Sequence, residues 1–182
     1  NSNSLIGAKR QVYRTDKLVT KKKEDKWYKH EQKRLDPFSL KDGSGRDPEH
    51  IYHFLLPDEG MVGVNDAEAK KLKPDAFERI KQWKKQFLQP LTLDEVKLLQ
   101  QISGAIDKLW KEHTDMLRAD RSRTEDRFPI WGQSEDEYHT STQQKDQIRS
   151  AGIFNNNAKI ASPYRRLKLV MDYWCALWFW PL

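Results

Sequence analysis

Thr92 and Glu95 stand at the head of a run in which Leu99, Ile102, Ile106, Leu109, His113 and Met116 return every three or four positions. The pair forms a capping box, where a hydroxyl and a carboxylate reciprocally satisfy two N–H groups that a helix leaves unpaired at its start. A seam sustained over this many turns fits a long α-helix and not the period of two that a strand requires. Upstream, Pro74 suits the first turn of another helix, because its missing N–H costs nothing there. In that helix Phe77, Ile80, Trp83 and Phe87 share a face, Lys81, Lys84 and Lys85 lie mostly away from it, and Pro90 closes the segment. Antiparallel pairing of the two helices as a hairpin is the natural way to bury both stripes. The fold class these runs predict is mainly α.

A third helix start is Ser162-Pro163, a cap followed by proline at the first position. Leu167, Val170, Met171, Trp174, Leu177 and Trp178 then form one stripe, and Cys175, Phe179 and Trp180 make the second half apolar almost all round. Such a helix is expected to be covered on every side. Three of the seven tryptophans fall in the last nine residues of a chain that is 33% charged and 37% hydrophobic. Each large ring needs about 150–250 Å² of cover. Trp174, Trp178, Phe179 and Trp180 are therefore expected to form an interface with protein outside this segment, or with another copy through exposed aromatic surface.

Between these helices the chain is mixed. Short strands are predicted near residues 5–13, with Gly7 at a turn, and at 51–56, where IYHFLL is rich in β-branched and aromatic residues. Residues 15–34 read as helical or disordered, and 36–50 as a loop. NDAEAKKL predicts a short helix capped by Asn65 or Asp66, Gln143–Ser150 a modest one, and Phe128, Pro129, Ile130 and Trp131 an anchoring patch. The single cysteine, Cys175, excludes an internal disulfide and fits a buried thiol in a reducing compartment. No signal peptide or membrane span is predicted, since Leu167–Leu182 is broken by Lys168 and Asp172 and falls short of about 20 residues. The expected location is cytoplasmic, with no membrane partner.

Charge is unevenly placed. Residues 1–34 carry eleven Lys/Arg against four Asp/Glu, a net of +7 within a total of +6, so the remainder sums to −1. Lys21, Lys22, Lys23, Lys26, Lys29, Lys33 and Arg34, with Trp27 and Tyr28 interleaved, form a candidate nucleic-acid-binding arm: cations for phosphates, rings for stacking. Arg165, Arg166 and Lys168 make a second basic group at a helix start, where exposed N–H groups also favour phosphate. A solvated charged face accounts for the same lysines without any ligand.

No catalytic centre assembles from the sequence. His50 and His53 cannot chelate together from opposite faces of a strand, and the cysteine is remote. Pro57-Asp58 followed by Glu68-x-Lys70 resembles the metal-binding pattern of many DNA nucleases. The second carboxylate, however, lies in an alanine- and lysine-rich stretch that prefers helix. GSGR at 43–46 is no phosphate loop, and GQSED at 132–136 no nucleophile elbow. No catalytic, cofactor-binding or metal-binding residue is assigned.

Three segments carry a family resemblance: NSLIGA at 3–8, IYHFLLPDEGM at 51–61 and YRRLKLVMDYWCALWFWPL at 164–182. In this order they resemble parts of large bacterial N6-adenine DNA methyltransferases, including fused restriction–modification enzymes and phage-defence methylases of the BREX and DISARM kind. Those usually have glycine where this chain has Ser2. The resemblance implies an internal piece of such an enzyme, with the catalytic Asn-Pro-Pro-aromatic tetrapeptide and the S-adenosylmethionine motif upstream. It implies residues 1–14 as the edge of the parent catalytic domain, 15–64 as a basic arm and loop region, and 65–182 as a helical domain. DNA and the remainder of the parent are the implied partners, and S-adenosylmethionine the parent's cofactor, with none held here. The expected function is a non-catalytic helical insertion or DNA-cleft domain. The alternatives are a protein-interaction domain docking through its aromatic helix, and a divalent-metal nuclease using Asp58, Glu68 and Lys70.

Overall fold

Val12 and Tyr13 are both buried on a four-residue strand, β1 (Gln11–Arg14), so side chains on both of its faces are covered. Antiparallel partners β2 (Lys33–Arg34) and β3 (His50–Tyr52) flank it in the order β2-β1-β3, with Val12 opposite Lys33 and Tyr52, and Tyr13 opposite Ile51. The fold is that of a computed structural model, which describes residues 8–21, 26–34, 45–63, 66–126, 131, 140–154 and 161–179. Beyond the small sheet it is mainly helical. The described helices are α1 (Ala67–Leu72), α2 (Pro74–Phe87), α3 (Leu93–Thr124), α4 (Thr142–Arg149) and α5 (Pro163–Ala176).

The described residues divide into two compact units. One runs to Asp107 and resumes at Leu169; the other spans Lys108–Lys168. The first is built on Tyr13, Leu18, Trp27, Ile51, Leu56 and Val96, with Leu88, Leu91 and Leu99 packed against them. Leu91 N–H donates to Leu18 O at 2.9 Å, tying the entry to α3 to the segment after β1. In the second unit the imidazole of His113 lies 5.6 Å from the ring of Tyr164, and Asp126 accepts from Lys145 Nζ at 2.6 Å. A side chain at Gly152 there would collide with the Asp120 carboxylate.

Helix starts follow local chemistry. Glu95 N–H donates to Thr92 Oγ1 at 3.3 Å and Thr92 N–H to Glu95 Oε2 at 2.7 Å, the capping box read from the sequence. Those donors hold the exposed Glu95 carboxyl below its ordinary range. Asp66 caps α1 by accepting from Ala69 N at 2.6 Å, Ser162 Oγ accepts from Arg165 N at 3.2 Å, and Pro74 opens α2.

Several expectations are corrected. Residues 15–34 are not a continuous helix: among the described ones, single 3₁₀ turns occupy Thr15–Lys17 and Trp27–Lys29, followed by β2. The run 51–56 is not one strand. After Tyr52, opposite Val12, β1 has only Gln11 left to pair, and His53–Leu55 turn into a 3₁₀ helix. No residue of α2 is buried, so its aromatic stripe is only half covered. On α3 the buried positions are Val96, Ser103 and Ile106, while Ile102 is on the exposed side. Trp131 is fully exposed and anchors nothing; its neighbours 128–130, with Gly7, lie outside the described residues. α5 is not covered all round: Leu167 and Trp174 are buried, but Leu169, Tyr173 and Phe179 are exposed. Cys175 is half-buried rather than buried. No described helix is long and apolar enough to cross a membrane.

Candidate nucleic-acid interface

The 3₁₀ turn Trp27–Lys29 divides the basic arm into groups with different fates. Trp27 is completely buried, with Nε1 donating to Pro57 O at 3.3 Å and its ring edge-on to Tyr28 at 5.1 Å. It is therefore a core residue and cannot serve as a stacking platform. Lys26 and Lys29 flank the half-buried Tyr28 ring at 5.7 and 5.6 Å. Lys29 Nζ also meets both Glu59 carboxylate oxygens at 3.2 Å, and Lys26 Nζ reaches Leu88 O at 3.5 Å. These two cations are engaged by the unit itself. Lys21 and Lys33 are exposed; Arg34 is paired through its backbone to Gln11. Lys22 and Lys23 lie outside the described residues. Arg165, Arg166 and Lys168 are exposed on the first turns of α5.

Of the candidate interface residues, Trp174 turns inward. Its Nε1 donates to Leu56 O at 2.8 Å across 118 residues of sequence, and its ring lies edge-on to His53 at 5.0 Å and to Trp178 at 5.7 Å. The half-buried Trp178 ring packs on Gly60, where an added Cβ would come within 2.8 Å of it. Phe179 is 74% exposed, and Trp180 lies outside the described residues.

His53 joins these segments. Its Nε2 accepts from Lys9 N–H at 2.8 Å, while the ring is sandwiched edge-on by Phe54 and Trp174. Burial pushes its pKa down to about 4, and the amide aimed at Nε2 requires that nitrogen to be unprotonated. A second polar centre, missed by the sequence reading, lies at the edge of the sheet. Arg46 forks onto Asp107 Oδ2 at 2.7 and 3.0 Å, and Tyr52 O–H donates to Asp107 Oδ1 at 2.8 Å. Burial, then the Asp107 bond, raises the Tyr52 pKa well above its ordinary range. Arg46 reaches Asp107 across 61 residues, so only its place in a Gly-rich loop was visible beforehand. Arg46, Asp107 and Tyr52 are thus bonded to one another, and His53 to the Lys9 amide.

Metal chemistry finds no footing among the described residues, which contain no group of three His, Cys, Asp or Glu able to hold an ion. Glu68 lies on helix α1 paired with Lys71 at 2.8 Å, and Asp58 Oδ1 accepts from Gly60 N at 2.8 Å. The strand geometry that the nuclease pattern needs is missing. His50 is buried on β3 and its pKa is lowered by that burial.

No family model matches the chain, and no curated protein or solved structure is significantly similar to it.

Proposed function

We propose that this chain is a helical domain of an adenine-specific DNA methyltransferase from a cytoplasmic restriction or phage-defence system, holding DNA while the methyl-transfer chemistry lies elsewhere in the parent. The observation that carries the reading is the meeting of two of its three resembling segments, next to the residue that follows the other. Lys9, next to NSLIGA, donates to His53 of IYHFLLPDEGM, and Trp174 of the aromatic segment covers that histidine and bonds Leu56. Two segments that resemble one family thus pack together, beside the residue that follows the third.

S-adenosylmethionine belongs to the parent. The carboxylates beside the sheet do not form a cradle for it, because Asp107 is taken by Arg46 and Tyr52 and Glu59 by Lys29. No methyl-transfer step is drawn through this chain. DNA contact falls to exposed cations, among them Lys21 and Lys33, which position a phosphate backbone without reading its sequence. Calorimetry should detect no S-adenosylmethionine binding, and DNA affinity should fall steeply with salt. Saturable cofactor binding by the isolated chain refutes the reading.

One observation favours a protein-docking role instead: Leu169, Tyr173 and Phe179 are 70%, 62% and 74% exposed on and just after α5. A stable oligomer by light scattering, with no response to DNA, selects that reading.

A further inference from the structure

The groove between α1 and α2 combines features that no residue assigned above shares. Lys81 and Lys84, expected mostly away from the aromatic stripe, follow Phe77 by four and seven positions and instead line the same face of α2 with it. Lys70 of α1 faces them, and Val62 and Ile80 complete an open groove of 560 Å³. Its floor is apolar and its rim is cationic. Residues 66–87 carry seven Lys/Arg against four Asp/Glu. Lys70 makes no ion pair among the described residues, while Lys84 Nζ reaches only a backbone oxygen, Glu59 O, at 3.5 Å.

We infer that this groove binds a single strand of nucleic acid, with one base against Phe77 and Ile80 and the flanking phosphates on Lys70, Lys81 and Lys84. The inference rests on the reading of the chain as a DNA-holding domain and places the strand at residues outside the basic arm. An apolar floor offers a duplex nothing, since its bases are already stacked, but it covers the face of an unpaired base. The volume is that of a small-ligand site and admits one nucleotide. Rim cations at helical spacing then meet the phosphates on either side.

Two acidic residues share the rim. Glu78 lies 3.5 Å from Lys81 with both side chains exposed, a contact weak enough for a phosphate to displace. Asp75 sits in the first turn of α2, where the helix end favours its charge and holds it apart from Lys84, more than two turns along. At the floor, buried Val62 has φ 52°, a left-handed conformation that a β-branched residue disfavours and that the surrounding turn must enforce.

The test is fluorescence anisotropy with a labelled oligothymidine and its duplex counterpart. The native chain is compared with Lys70→Glu/Lys81→Glu/Lys84→Glu, with Phe77→Ala and Phe77→Leu, and with the arm variant Lys21→Glu/Lys33→Glu. The triple variant should lose about tenfold or more in single-strand affinity, with the slope of log K on log salt shallower by about 2. Both Phe77 variants should lose about fivefold or more with little change in slope; Phe77→Leu keeps apolar cover, and circular dichroism checks that each variant is folded. If groove variants bind like the native chain while the arm variant loses affinity, the groove assignment is wrong and the DNA-holding reading stands. If the native chain binds neither oligonucleotide at low salt, that reading fails and the inference with it. Equal affinity for duplex with Phe77 variants unaffected, or displacement by poly-glutamate at equal charge, also overturns the inference.

Discussion

Lowering the pH from 6.5 to 4.5 should destabilise the sheet-bearing unit through His53. The imidazole is 4% exposed, accepts the Lys9 amide proton and has its pKa depressed to about 4 from an ordinary 6.5. Above pH 6.5 both folded and unfolded chains carry a neutral ring, so His53 contributes no pH dependence. Between 6.5 and about 4 the unfolded chain binds a proton that the folded one refuses, and stability therefore falls as pH falls. A whole proton is worth about 1.4 kcal/mol per pH unit. The unfolded ring, however, is only half protonated at 6.5 and the folded one starts to titrate at about 4.5, so the loss across these two units is roughly 2 kcal/mol. Burial also lowers the pKa of His50 and His113, so the contribution must be isolated. His53→Gln offers an acceptor near the Nε2 position and does not titrate. Urea unfolding at half-unit pH steps should show the slope of stability on pH reduced by about one proton in the variant. The lowered Glu95 carboxyl adds a loss of the same sign at the acid end of this window, but it does so in both proteins and cancels from the comparison. An unchanged slope in His53→Gln, or an NMR midpoint for the His53 ring near 6.5, would falsify the assignment of a buried, accepting imidazole.

Three further outcomes follow from the same unit. Trp174→Phe removes the indole donor to Leu56 O and should cost about 1–3 kcal/mol in chemical denaturation, the usual penalty for stranding a buried carbonyl. Arg46→Ala strands Asp107, whose side chain is 27% exposed while that of Arg46 is 7%; water reaches the carboxylate, so the loss should be about 2–3 kcal/mol rather than the full penalty of a buried unpaired charge. Gly60→Ala drives a methyl group into the Trp178 ring, and should cost about 1–2 kcal/mol with a changed near-UV tryptophan signal.

What the sequence disclosed was whatever is settled within a few residues. The capping box at Thr92 and Glu95, the Asp66 cap, Pro74 and Ser162-Pro163 are all local, and each helix starts where they place it. The inward stripe of α5 was also legible, since Leu167 and Trp174 are buried. The arm was not. Trp27 among lysines looks like a surface ring until Pro57, thirty residues away, supplies a carbonyl for its indole. His53 was likewise read as a strand position, because its Lys9 and Trp174 partners lie far off in sequence. The α1–α2 groove was hidden for a different reason. Its aromatic stripe has the period of a core helix, and periodicity does not report whether anything arrives to cover it.

The bond from Trp174 to Leu56 has a bearing on how the molecule is made. A ribosome must synthesise more than a hundred further residues after the β3 region before its indole cover emerges, and joining points so distant carries the loop-closure penalty that slows folding. During that interval the nascent sheet presents the Leu56 carbonyl and one face of the His53 ring to solvent or to chaperones. A transcript broken upstream of Trp174 would yield a polypeptide arrested in that half-closed condition, a natural substrate for proteolytic clearance.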